Sequence, residues 1–391
     1  MYTRFKPTRA RRRTRSWGYW FLTLLGLGLV GWVFWHLPQR PEPPPSAPKA
    51  PPATPPLPTN RLAPLPILPA PLTNPSPQAA LPLRPDLLPT PPTTPSNPPA
   101  PPRPTLPRPV QNTLEAQIVM ARQGISPGSL DGVLGFQTRA ALAAFQRQHR
   151  LPRTGTLDAA TRAALLVDDP PLTTYTVTTN DVARLLPLSR TWLEKSEQPR
   201  MDYETVLELV AEKAHAHPNL IRRLNPRVEW SSVFAGTTLV VPNASGPLPR
   251  SAAALVRIRL ADKMLEAFDS ATNLIAHFPC SIARQVEKRP VGDLYIAVIA
   301  RNPNYTFDPD VFPESPEAQQ LGQKLILQPG PNNPVGTAWI GLSRPGYGIH
   351  GTPNPEDVGR TESHGCFRLA NWNAEYLAQI VAVGTPVSVE P

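Results

Sequence analysis

The sequence predicts a multidomain chain: a single N-terminal transmembrane helix, a proline-rich linker, a small three-helix domain, a β-α-α-β domain and a C-terminal mostly-β domain of sandwich or barrel-like type. Three observations lead there. An uncharged run follows a basic arm near the N-terminus. The 56 prolines of this 391-residue chain are concentrated in one stretch. Beyond it, segments of helical period give way to closely spaced strand-like runs. At about 100–200 residues per domain, the length accommodates several folded units.

Residues 1–16 hold Arg4, Lys6, Arg9, Arg11, Arg12, Arg13 and Arg15 and no acid, so most of the net charge of +10 sits there; the rest of the chain has 32 basic and 29 acidic side chains. A basic arm can bind nucleic acid, but the next segment gives a better account of it, and no nucleic-acid partner is expected. Residues 17–37 are uncharged and long enough to cross a hydrocarbon core of roughly 30 Å as a helix. Trp17, Tyr19 and Trp20 cluster at one end and Trp32 and Trp35 at the other, as interfacial aromatics do. The preceding arginines predict a single-pass protein of the cytoplasmic membrane, with its N-terminus in the cytoplasm and all later domains outside. A cleaved signal peptide is the competing reading. The apolar run is long for one, and no small-x-small cleavage site follows it.

Residues 38–110 contain 30 prolines. They lack the apolar periodicity of a core and read as an extended polyproline-II-like spacer, reaching at most about 200 Å at roughly 3.1 Å per residue.

Residues 113–167 read as three short helices: 114–121, 138–149 with Ala141, Leu142 and Phe145 on one face, and a last one capped by Asp158 and running to 166. Turns fall at 126–128, 131–135 and 154–156. The order Asp131, Gly132, Gly135, Thr138, Ala141, Phe145, Gln146 resembles the peptidoglycan-binding domain 1 family, which implies a wall-binding module. Residues 173–243 read as strand, helix 204–214, helix 218–224 with proline at its first position, and strand 236–242. The Tyr175-Thr-Val177 opening, Leu224-Asn225-Pro226 and the Gly236 to Pro242 segment resemble LysM, a module that binds N-acetylglucosamine-containing glycans. The Gly-Asp-Thr turn of that family is missing, with Asn180-Asp181-Val182 nearby, and residues 183–202 look inserted. A spacer domain is the plainer reading.

Residues 252–391 alternate as short strands at 255–260, 265–269, 274–278, 294–300, 338–342 and 386–389, with one helix over 372–381. The long proline-containing connection at 301–336 is expected to cap a cleft, since loops of that length inside a compact domain are usually functional.

The chemistry concentrates at 350–369. Cys366 lies in a glycine-containing turn beside His364 and Arg368, and His350 stands sixteen residues before Cys366. A thiol becomes a useful nucleophile when a neighbouring base or cation lowers its pKa. Only two cysteines and seven histidines occur in the chain, so this cluster is not a compositional accident. Cys280 follows a strand-like segment and reads as a small buried apolar residue; a disulfide with Cys366 would block the chemistry. A zinc site on His350, His364 and Cys366 lacks a fourth ligand at motif spacing, so neither a metal nor a cofactor is expected.

His350, Gly351, Ser363, His364, Gly365, Cys366, Phe367 and Arg368 together resemble the signature of the L,D-transpeptidases, the YkuD-like catalytic domain, over roughly residues 252–391. The resemblance implies an acyltransferase with Cys366 as nucleophile, His350 as base oriented by the Gly351 carbonyl, and peptidoglycan stem peptides and glycan strands as partners. Backbone N–H groups at Gly365 and Cys366 suit an oxyanion, because glycine lets the backbone approach closely. His364 and Arg368 could polarise the thiol or hold a carboxylate, and Ser363 fixes the turn. His364 as base and Arg368 as a structural brace remain alternatives. The expected outcome is a 3→3 cross-link after release of D-alanine. An L,D-carboxypeptidase or murein endopeptidase on the same scaffold, and a non-catalytic tether between membrane and wall, are the other classes.

Overall fold

The structure, a computed structural model, describes residues 105–391 other than 246–248, 250, 313, 314, 362 and 364. The expected arm at 1–16, the span at 17–37, the proline-rich stretch up to 104 and His364 lie outside the described residues. Among the described residues no helix is long and apolar enough to cross a membrane.

The end of the proline-rich stretch belongs to the first module. Arg108–Pro109 (β1) pairs antiparallel with Leu166–Val167, and Val110 is buried in the module's core. Three helices follow: Thr113–Arg122 (α1), Phe136–Gln148 (α2) and Ala159–Ala164 (α3). Asn112 Oδ1 caps α1 by accepting from the Glu115 N–H at 2.9 Å, and Asp158 caps α3 through Thr161. The last helix ends earlier than its apolar pattern suggests, because Leu166–Val167 (β2) turns away to pair with β1. The motif residues are internal pins. Gln146 is fully buried and donates to Thr154 Oγ1, Thr161 Oγ1 and the Thr156 carbonyl; Thr138 is buried and bonded by Gln117.

The second module runs Leu172–Thr176 (β3), Thr179–Arg184 (α4), Trp192–Glu197 (α5), Val206–Lys213 (α6), Pro218–Leu224 (α7) and Thr238–Pro242 (β4). β3 and β4 pair antiparallel with Tyr175 opposite Leu239, and Leu209, Val210, Leu220 and Ile221 fill the space beneath. Asn225 ties the end of α7 to β4: its side chain donates to the Ile221 and Val240 carbonyls and accepts from the Val240 N–H. Asp181 stands where the Gly-Asp-Thr turn is absent. Burial alone would raise its carboxyl, but hydrogen bonds from Lys213, Tyr175 and Thr178 hold it well below the usual range. Part of the inserted stretch reaches beyond the module's own core. Trp192 stacks on Phe307 at 4.3 Å between ring centroids, and Met201, Phe307, Leu325 and Leu327 form a small core of their own.

The C-terminal domain is built on Leu255–Arg259 (β5), Met264–Phe268 (β6), Leu274–Pro279 (β7), Gly292–Arg301 (β8), Tyr305–Phe307 (β9), Pro316–Leu321 (α8), Leu325–Leu327 (β10), Ala338–Leu342 (β11), Gly348–His350 (β12), Phe367–Arg368 (β13), Asn371–Ile380 (α9) and Pro386–Glu390 (β14). Eight strands make one sheet in the order β13-β12-β11-β8-β14-β5-β6-β7. Strand β8 carries the bend: its first residues pair with β14 and its later ones with β11. The chain after β7 then meets β13, where Ser281 and Arg368 exchange backbone bonds of 2.9 and 3.0 Å. The sheet thereby folds into a half-barrel around one core that includes Val256, Phe278, Cys280, Ile340, Phe367 and Leu377. The long connection at 301–336 is not an open loop. It folds as the β9–β10 hairpin with α8, seated on Trp192 of the second module.

Candidate active site

Strands β12 and β13 place the expected residues. They run parallel, with Ile349 beside Phe367 and His350 beside Arg368. Ile349, Phe367 and Leu369 are fully buried in the core. Alternation along a strand therefore sends His350 and Arg368 to the opposite face, and Cys366 stands immediately before β13. Sequence reasoning singled out these residues without seeing the strands that align His350 with Arg368.

His350 is buried, and its Nδ1 lies 2.6 Å from the Gly351 carbonyl, so Nδ1–H donates and Nε2 keeps its lone pair. Burial pushes the imidazole down to about 4; the bond to Gly351 opposes that shift, and the Arg368 charge adds to it. Cys366 is half-buried and free, and its thiol donates to the Gly346 carbonyl at 3.6 Å. Burial raises the thiol pKa, while the Gly348 N–H and Arg368 act against the rise. The resting pair is thus a neutral thiol and a neutral imidazole. At the thiol, desolvation outweighs the nearby cation.

Ser363 is bonded on both sides. Ser363 Oγ donates to the Cys366 carbonyl at 2.5 Å and accepts from the Gly365 N–H at 3.3 Å, while the Ser363 N–H donates to the Ile282 carbonyl. The Gly365 N–H is therefore turned onto Ser363 in this state. Arg368 is half-buried and reaches Thr361 Oγ1 at 3.5 Å. Cys280 is fully buried and free, with burial pushing its thiol up to about 12.

Two further residues shape the site and escaped sequence reasoning. Trp339 of β11 stands opposite His350, stacks on it at 5.6 Å, and lies across Gly348, where any Cβ would meet the indole at 2.6 Å. Its signal was a tryptophan flanked by glycines on two neighbouring runs. Asn371, at the start of α9, is 1% exposed and accepts from the Thr352 N–H at 3.0 Å and the Thr337 N–H at 3.3 Å. A Cβ on Gly351 would lie 2.1 Å from Asn371 Oδ1, so only glycine fits there. Beside the site a cavity of about 550 Å³ opens, walled by Glu208 and Glu212 of α6 and by Thr352, Asn354 and Arg368.

Residues 253–389 match the family described as the L,D-transpeptidase catalytic domain. Residues 110–165 match the putative peptidoglycan binding domain. Among curated relatives, this chain is similar to the putative L,D-transpeptidase YkuD of Bacillus licheniformis, 26% identical over 187 residues, 47% of this chain and 93% of that protein. A putative L,D-transpeptidase of Fuscovulum blasticum is 35% identical over 29% of this chain and 56% of its own length. A solved L,D-transpeptidase of Xylanimonas cellulosilytica aligns over 75% of this chain and 100% of that one at 16% identity and a TM-score of 0.31, a likeness too slight to bear on the fold.

Proposed function

We propose that this chain is a membrane-anchored cysteine L,D-transpeptidase that cross-links peptidoglycan stem peptides. The observation that carries the reading is a buried His350, committed through Nδ1 to the Gly351 carbonyl at the end of β12, with Cys366 directly before β13, the strand paired with β12. His350 Nε2 takes the thiol proton as Sγ attacks the carbonyl carbon that precedes the terminal D-alanine. The resulting oxyanion is met by backbone N–H groups around Gly365 and Cys366, with the Gly365 N–H leaving Ser363. As the C–N bond breaks, His350 returns the proton to the departing D-alanine amine, leaving a thioester. The side-chain amine of a second stem then attacks, His350 takes its proton, and the thiol is restored as the 3→3 cross-link forms. His364 and Arg368 hold a substrate carboxylate or polarise the sulfur.

The first module binds the wall, and the second, through the LysM-like segments at Tyr175–Val177, Leu224–Pro226 and Gly236–Pro242, adds a glycan contact. Residues 17–37 fix the chain in the bacterial inner membrane with the catalytic domain outside, so that tethering raises its concentration at the polymer. Incubation with disaccharide-tetrapeptide, read by mass spectrometry, tests the reading. A cross-linked dimer lacking one D-alanine, abolished in Cys366→Ala, is expected. Tripeptide alone would move the assignment to carboxypeptidase. No product and no adduct would leave the tether.

A further inference from the structure

The first turn of α9 closely follows β13, the strand that carries Arg368 and is preceded by Cys366, and three consecutive residues of it are held from outside the catalytic domain. Asn371 Nδ2 donates to Glu212 Oε1 of α6 at 3.0 Å. Trp372 stacks on His215, just beyond α6, at 5.1 Å and 10° between planes. Asn373 donates to Ser126 Oγ of the first module at 3.0 Å. The same Asn371 that takes the Glu212 bond also accepts from the Thr352 N–H, donates to the Pro331 carbonyl of the long connection, and leaves room only for glycine at 351. The Gly351 carbonyl in turn orients His350.

We infer that Glu212, a residue of the second module, is a positioning residue for the catalytic histidine, acting through Asn371 on the Gly351–Thr352 backbone. The second module is on this view a structural part of the active site and not only a wall anchor. An asparagine amide has two donors and one oxygen. With Glu212 in place its donors are spent on Glu212 and Pro331, and its oxygen is left to fix Thr337 and Thr352. Without Glu212, one buried donor loses its partner, and such a group recruits a new one by rotation or backbone shift. Either movement turns the Gly351 carbonyl and, with it, the imidazole. Glu212 is itself held by the Tyr203 hydroxyl at 3.2 Å, so the support extends into the second module's core.

This inference rests on the transpeptidase reading, and the test separates the two. Full-length wild type, Glu212→Ala, Glu212→Asp and Glu212→Gln are compared on disaccharide-tetrapeptide, with kcat and KM measured separately and melting temperatures recorded. Glu212→Ala should lower kcat about tenfold or more with KM within twofold, because the effect is on the base and not on binding. Glu212→Gln keeps an oxygen that accepts from both Asn371 and Tyr203, and should restore kcat to within about twofold of wild type. Glu212→Asp withdraws the carboxylate while retaining the acid, should fall with Ala, and decides the matter if the alanine protein does not fold. Hydrogen exchange at the Thr352 amide should quicken in the Ala and Asp proteins and not in Gln. Wild-type kcat and wild-type Thr352 protection in folded Ala or Asp proteins would overturn the inference, as would a Gln protein no better than Ala. A wild-type chain without turnover would refute the transpeptidase reading alone, since the exchange measurement still reports on the support.

Discussion

At the scale of single residues, the site sets a neutral thiol beside a neutral imidazole, and the pH dependence follows. A general base works in its unprotonated form. His350 is held down to about 4 by burial, so it stays available well below the range of an ordinary histidine. The acid limb of kcat/KM, which reports the free enzyme, is expected below pH 5. A limb centred near 6.5 would show an imidazole exposed to water and contradict the buried geometry. Trp339 gives a second residue-scale expectation. Its indole covers one face of His350 and is itself seated on Gly348. A stacked pair is worth about 0.5–1.5 kcal/mol beyond its area, and losing that restraint should lower kcat of Trp339→Ala by about tenfold, the equivalent of roughly 1.4 kcal/mol. Steady-state kinetics with KM held in view would check it, and unchanged kcat would place the tryptophan outside the mechanism.

At the scale of elements, what was legible depended on length. Strands β5–β8, β11 and β14 are long enough for apolar alternation to show, and helix α9 for its period. Strands β12 and β13 span three and two residues, Gly348–His350 and Phe367–Arg368. No period can appear in so few positions, so the chemistry of His350, Cys366 and Arg368 was readable while the ladder aligning them was not. The insertion at 183–202 and the connection at 301–336 each looked anomalous alone, because each buries its apolar side chains against the other: Trp192 and Met201 from one, Phe307 and Leu327 from the other. Such a core has no local signature in either stretch. The docking of α2 on the catalytic sheet was equally hidden. Arg147 reaches Glu266 of β6 at 2.6 Å. Burial alone would raise the Glu266 carboxyl, but His277 and Arg147 hold it at about 2. Removing Arg147 leaves that buried charge to His277 and a more distant Arg259. Arg147→Ala should weaken the docking by about 2 kcal/mol, read as faster hydrogen exchange along β6 and β7. Exchange equal to wild type would show the contact to be energetically idle.

At the scale of the described molecule, the three modules share side-chain and backbone bonds: Gln137 to the Val358 carbonyl, Asn373 to Ser126, Asn332 to Glu208 and Asn371 to Glu212. Polar contacts of this kind couple protonation to folding. Glu212 is raised from an ordinary 4.5 to about 8, first by desolvation and further by Glu375 and Glu208, with bonds from Asn371 and Tyr203 opposing. The direction is the reverse of the common carboxylate case. Between pH 4.5 and 8 the folded chain keeps a proton that the unfolded chain has released, so stability falls as pH rises through that window. Above pH 8 both states are ionised and the contribution levels off. Glu208 is raised by burial in the same sense, and His215 is lowered to about 4, which acts below pH 6.5, so the wild-type curve alone would not isolate Glu212. The difference between wild type and Glu212→Gln does. The glutamine cannot titrate, keeps the bond to Asn371, and should lose less stability between pH 5 and 8 than the wild type does. Melting temperatures taken at pH 5, 6.5 and 8 should therefore separate progressively, with the glutamine protein ahead at pH 8. Parallel curves would mean that Glu212 is already ionised in the folded chain, and that water or a local cation compensates it at the junction between the second module and the catalytic domain.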